Sequence, residues 1–267
     1  MDEKKKKQNW KRVEIGARDV RIFRTIVEQK FVRRDHVIQY IFHGSQSYAE
    51  IRIRKLKKFD HLTAVGVLVG DPECYLLGKE SVKVFSKVKP PGHPADYQYP
   101  KPQSSIELAS YEHDYKVTVV RLIFENLGLC ADWKSEKLLK AGRKGDRKVP
   151  DGIFSRRGIG MAVELELTAK KARTYRQIFG FYEQHPQIKY VFYVCGSLGL
   201  LKEIMELVKR YYGEKDEKSP AREYCFMLYR DLVDFGENVW IWTPFRGKFQ
   251  LGHLIFGKSF HGGQHAD

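Results

Sequence analysis

The sequence predicts an α/β protein in two parts: an N-terminal winged helix-turn-helix, then an α/β domain built on a central mixed sheet. Three observations carry this. Residues 13–88 read as three helices followed by a hairpin. Residues 87–105 hold five of the ten prolines, and beyond them the pattern runs helix, three strands, helix, strand. Proline at that density resists helix and interior strand alike, so it marks a linker, taken as 89–105.

Taken in order, residues 1–12 are Lys-rich without periodicity and read as a basic disordered arm. Over 17–28, Val20, Phe23, Ile26 and Val27 recur at helical spacing, and Val37, Ile38, Ile41 and Phe42 repeat the pattern in a second short segment. Ser45 is the expected N-cap of a third helix, QSYAEIRIRKLKKF, with Ala49, Ile53 and Leu56 inward. The run HLTAVGVLVGDPECYLLG then reads as two strands around Gly70-Asp71-Pro72, the wing. In such a module the start of the recognition helix enters the major groove. Gln46, Ser47, Tyr48 and Arg52 are therefore the candidates near base edges, and Arg52, Arg54, Lys55 and Lys57 the candidates for phosphates. The plainer alternative is a solvated charged face.

Bulk composition agrees with a polyanion partner. The chain has 267 residues and a formal net charge of +15, with 21 Lys+Arg against 11 Asp+Glu in residues 1–90. Double-stranded DNA fits that charge better than an anionic membrane. No apolar run reaches the roughly 20 residues of a membrane span. The N-terminus lacks the apolar core of a secretory signal, so a cytoplasmic protein without membrane association is expected. The four cysteines are widely spaced without a C-x-x-C pair, which argues for buried thiols rather than zinc or disulfides.

The second part begins with a helix over 112–127 and a strand within 129–136. Residues 149–171, VPDGIFSRRGIGMAVELELTAKK, read as a hairpin with a basic Gly-containing turn, followed by a helix from about 170 to 183. A buried strand at 190–196, a helix at 198–212 and further strands at 224–229 and 238–245 complete it. Strand side chains alternate, so Glu164 and Glu166 share one face while Val163, Leu165 and Leu167 take the other. Asp151 at the start of the paired strand comes beside them. Such acids suit a hard divalent ion through oxygen ligands. Asp151 and Glu164 are the candidate metal ligands, with Glu166 orienting a water or carrying a second ion.

Pro150-Asp151, then Glu164-Leu165-Glu166 thirteen positions on, then a helix opening Thr168-Ala169-Lys170-Lys171, resemble the PD-(D/E)XK restriction-endonuclease-like superfamily. Together with the N-terminal module, His113-Asp114 on a helix and Trp133 to Glu136, this makes roughly residues 15–195 similar to the replication-relaxation family of plasmid and mobile-element proteins. The resemblance implies a nuclease-like domain over 106–267, Mg²⁺ or Mn²⁺ as cofactor, and work as a metal-dependent DNA nicking nuclease or origin-relaxation factor. Relaxase or replication proteins are the implied partners, and Glu112, Glu125 and Glu136 further implied ligands. The superfamily carries lysine two residues after the second acid. Here Glu166 stands there, leaving Lys170 or Lys171 to supply the catalytic cation. The alternative is a non-catalytic DNA-binding replication or transcription regulator with a decayed nuclease-like domain. An RNA-binding module is weaker, because no RNP-type aromatic strand or GXXG loop stands out.

Overall fold

The computed structural model describes residues 13–85, 101–141, 148–213 and 221–256. The expected basic arm, the linker as far as residue 100, the turn residues 142–147, the loop 214–220 and the tail from 257 lie outside the described residues. The chain is mixed α/β and divides into two units, 1–122 with 137–142, and 123–136 with 143–267.

In the first unit, α1 (Ala17–Gln29), β1 (Val32–Arg33), α2 (Arg34–His36, continued by the π-helical turn Val37–Ile41), α3 (Gln46–Lys58), β2 (Leu62–Val65), β3 (Cys74–Leu77) and α4 (Lys79–Phe85) follow in order. The strands form an antiparallel sheet in the order β1-β3-β2. Helix α1 buries Ile22, Phe23, Ile26 and Val27, one stripe at helical spacing, against Val37, Ile41, Ala49, Ile53 and Leu56. Its first turn is fixed by the Gly16 N–H, which donates to Asp19 Oδ2 at 2.8 Å. Ser45 precedes α3 as expected, but its side chain makes no cap bond. Only its carbonyl joins the helix, accepting the Ala49 N–H at 3.0 Å.

The chain continues through α5 (Tyr111–Asn126), β4 (Lys134–Ser135), α6 (Glu136–Lys140), β5 (Gly152–Arg156), β6 (Ile159–Glu166), α7 (Ala172–Glu183), β7 (Ile188–Cys195), α8 (Leu198–Gly213), β8 (Glu223–Leu228), α9 (Tyr229–Phe235), β9 (Trp240–Thr243), β10 (Gly247–Gln250) and α10 (Leu251–Phe256). Helix α5 crosses the division between the units. Seven strands make one mixed sheet, β10-β9-β8-β7-β6-β5-β4, parallel across β6-β7-β8 and antiparallel elsewhere. Arg157 and Gly158 between β5 and β6 both have positive φ, 49° and 79°, the backbone of a two-residue hairpin turn whose twist matches its strands.

One sheet face, with Ala162, Tyr193, Cys195, Tyr224 and Phe226, packs under α7 and α8. Phe154 and Phe192 stack at 6.4 Å, and Phe124 meets both edge-on. The strand expected within 129–136 shrinks to two residues because Glu136 already starts α6. The single strand expected over 238–245 is a hairpin: Pro244 interrupts it, and the chain turns back into β10 through Gly247 at φ 81°. All four cysteines are buried, and none is joined in a disulfide. Among the described residues no helix is long and apolar enough to cross a membrane.

Candidate functional site

Two groups of the expected site residues fall in the two units. In the second, the hairpin β5-β6 determines the geometry. Gly152, the first residue of β5, pairs with Val163, and the Asp151 N–H just before it donates to the Val163 carbonyl at 3.1 Å, beside Glu164. Asp151 Oδ2 accepts the Leu165 N–H at 2.7 Å, so the acid is tied to the very strand that carries Glu164 and Glu166. Asp151 is 8% exposed and both glutamates 1%.

Each glutamate has a cation. Lys148 Nζ lies 2.7 Å from Glu164 Oε2, and the Tyr182 hydroxyl from α7 donates to Glu164 Oε1 at 2.5 Å. Lys170 Nζ lies 2.6 Å from Glu166 Oε1. Lys171, the other lysine read from sequence, is exposed at the start of α7, where its carbonyl accepts the Thr174 N–H at 2.8 Å. The Tyr193 hydroxyl on β7, opposite Glu164 in register, is buried without a hydrogen-bond partner among the described residues. Of the implied further ligands, Glu112 is exposed and pairs with Lys116 at 2.7 Å.

Burial dominates the electrostatics. It pushes the Glu164 carboxyl up to about 7, with Asp151 adding to the rise and Lys148 opposing it. Glu166 is raised as well, again by burial, against the pull of Lys170. Burial works against the charge of Lys148, but Glu164 and Asp151 outweigh it and hold the ammonium above its usual range. The folded state thus binds the Glu164 proton more tightly than the unfolded chain, whose carboxyl titrates near 4.5. This residue favours folding most below that value, and the contribution declines as pH rises toward 7. Melting temperature should fall across that window, and Glu164→Gln should flatten the slope. An unchanged slope in the variant would place the titration elsewhere.

A hard divalent ion takes about six oxygen ligands. Both Glu164 oxygens are already bonded, one Asp151 oxygen is bonded to backbone, and Glu166 is paired. Among the described residues no three His, Cys, Asp or Glu side chains are arranged to hold a metal ion. As placed, the two glutamates are paired with ammonium groups, and Mg²⁺ or Mn²⁺ would compete with Lys148 and Lys170 for them. Lys148 and Tyr182 were not singled out from sequence. Lys148 stands three residues before Asp151 in a run of basic residues, and Tyr182 lies seven residues after Tyr175 on the buried stripe of α7.

In the first unit, α3 turns Ala49, Ile53 and Leu56 inward. Its exposed side carries Ser47, Tyr48, Ile51, Arg54 and Lys55, with Tyr48 74% and Ile51 60% exposed. The other candidates are engaged within the protein. Arg52 Nε donates to Asp19 Oδ1 at 2.8 Å and a second nitrogen pairs with Oδ2, an arrangement that raises the guanidinium pKa through the bonded carboxylate. Lys57 Nζ donates to both Glu73 oxygens at 2.9 Å. Gln46 Nε2 donates to Glu50 Oε1 at 2.8 Å, and Arg34 pairs with the same oxygen. No family model, curated protein or solved structure matches this chain.

Proposed function

We propose that the chain binds duplex DNA through its first unit, a winged helix whose α3 is the recognition helix. The observation that carries this is the outward face of α3, where Ser47, Tyr48, Ile51, Arg54 and Lys55 are exposed together. The one acid near them on the helix, Glu50, is occupied by Arg34 and Gln46. The element order α1-β1-α2-α3-β2-β3 with sheet order β1-β3-β2 supports the module. The loop between β2 and β3 presents apolar Leu68 and Val69, 52% and 108% exposed, so phosphate contacts rest on the helix. Resemblance to the replication-relaxation family adds plasmid or mobile-element DNA as the target and replication or relaxase proteins as partners. On this reading the second unit is a nuclease-like scaffold in a regulator.

Fluorescence anisotropy on a duplex across a salt series tests it. Neutralising a phosphate contact releases condensed counterions, so Arg54→Ala with Lys55→Ala should flatten the log–log salt slope by about 2 and weaken binding on all sequences. Arg52→Ala should lower the melting temperature instead, because Asp19 loses its partner. A parent chain without salt-dependent duplex binding would end the proposal.

A second reading, a metal-dependent nickase, has one observation in its favour: Asp151, Glu164 and Glu166 come close together in the order α5-β4-α6-β5-β6-α7-β7. It requires an ion to compete with Lys148 for Glu164. Relaxation of supercoiled plasmid in Mg²⁺ or Mn²⁺, lost in Asp151→Asn, would establish it over the regulator.

A further inference from the structure

We propose that Lys148 is the resident counter-ion of the buried carboxylate centre, occupying the place the sequence assigns to a divalent ion. The inference concerns the second unit alone and goes beyond DNA binding, so failure of either leaves the other standing.

The argument starts from what a buried acid requires. A carboxylate at 1% exposure needs a cation or a full set of hydrogen-bond donors. Glu164 has both: the Lys148 ammonium at 2.7 Å on one oxygen and the Tyr182 hydroxyl at 2.5 Å on the other. Asp151, just before β5, receives the Leu165 N–H on Oδ2 at 2.7 Å and donates its own N–H to the Val163 carbonyl, the residues on either side of Glu164. Glu166, two residues on, has its own lysine, Lys170, at 2.6 Å. Among the described residues the groups facing the centre include three acids, two lysines, the hydroxyls of Tyr175, Tyr182 and Tyr193 and the Cys195 thiol, all contributed by one unit.

The position of Lys148 is itself informative. Val149 and Pro150, both buried, lead directly into Asp151. Proline fixes its own φ and restricts the residue before it. The backbone that delivers the ammonium is therefore the backbone that starts β5. A lysine delivered this way takes its position as the hairpin forms. An ion would instead meet an ammonium already beside Glu164 and share oxygens that Lys148 and Tyr182 hold.

The test is thermal unfolding of the full chain in chelator and in millimolar Mg²⁺ or Mn²⁺. The parent should melt at one temperature in all three. Lys148→Met should melt lower, since it strands Glu164, and Mn²⁺ should now raise its melting temperature because an ion binding only the folded state stabilises it by mass action. Adding Asp151→Asn to Lys148→Met should remove that gain. Lys148→Met with Glu164→Gln removes both charges and should recover more than half of the loss without responding to metal. This pair keeps the proposal testable if Lys148→Met alone does not fold. A parent stabilised by Mn²⁺ in a manner lost in Asp151→Asn would overturn the proposal. So would a Lys148→Met variant as stable as the parent, or a double variant no better than a Lys148→Met chain that cannot fold.

Discussion

Trp133→Ala should destabilise the second unit by about 3–5 kcal/mol, the cost of emptying a large aromatic site in a packed core. Trp133 is fully buried and stacks on Phe154 with ring centroids 5.9 Å apart, and Phe154 in turn meets Phe124 and Phe192. The indole also explains Gly152, the residue after Asp151. A Cβ built there would sit 2.0 Å from Trp133 Cζ2. Gly152→Ala alone should therefore cost about 1–3 kcal/mol or more by overpacking. The two effects share one contact and should not add. In the Trp133→Ala background, Gly152→Ala should be close to neutral, as read from urea denaturation. Additive losses would mean that the indole does not set the start of β5, and with it the position of Asp151.

In the first unit the largest effect is expected at Arg121. Its guanidinium, 1% exposed, lies 2.5 Å from Glu28 Oε2, and Glu28 is itself fully buried. Arg24 Nε reaches the other oxygen at 3.0 Å. Removing Arg121 leaves the fully buried Glu28 charge to a partly exposed Arg24 and empties a large buried site, so Arg121→Ala should cost about 3–5 kcal/mol. Glu28→Gln with Arg121→Met should recover much of that, since neither charge is then stranded. The comparison is a double-mutant cycle on unfolding free energies. A double variant as unstable as Arg121→Ala would show that shape rather than charge sets the requirement at this position.

Much of the local architecture was legible in the sequence. Period-3.6 stripes located α1, α3, α7 and α8, because one buried face per helix leaves its imprint whatever the helix packs on. Period-2 alternation put Glu164 and Glu166 on one face of β6, and the Arg157-Gly158 turn set the hairpin register that brings the start of β5, with Asp151 just before it, beside Glu164. Among the elements not read were short ones: α4, α6, α9, α10 and the return strand β10. A segment of four to seven residues shows too little period to distinguish helix from strand, and its state is set by neighbours.

The candidate site divides the same way. The sequence by itself determined which acids converge, because their meeting depends on one hairpin and on the alternation of side chains along two adjacent strands. It also placed basic residues on α3, since helical spacing gathers Arg54 and Lys55 on one side. Only the tertiary structure decided which cation serves which acid. Lys148 reaches Glu164, Lys170 reaches Glu166, Arg52 turns inward to Asp19 and Lys57 to Glu73. Long flexible side chains carry their charge several ångströms from the backbone. Their partners are chosen by which elements pack alongside, and no period along the chain records that.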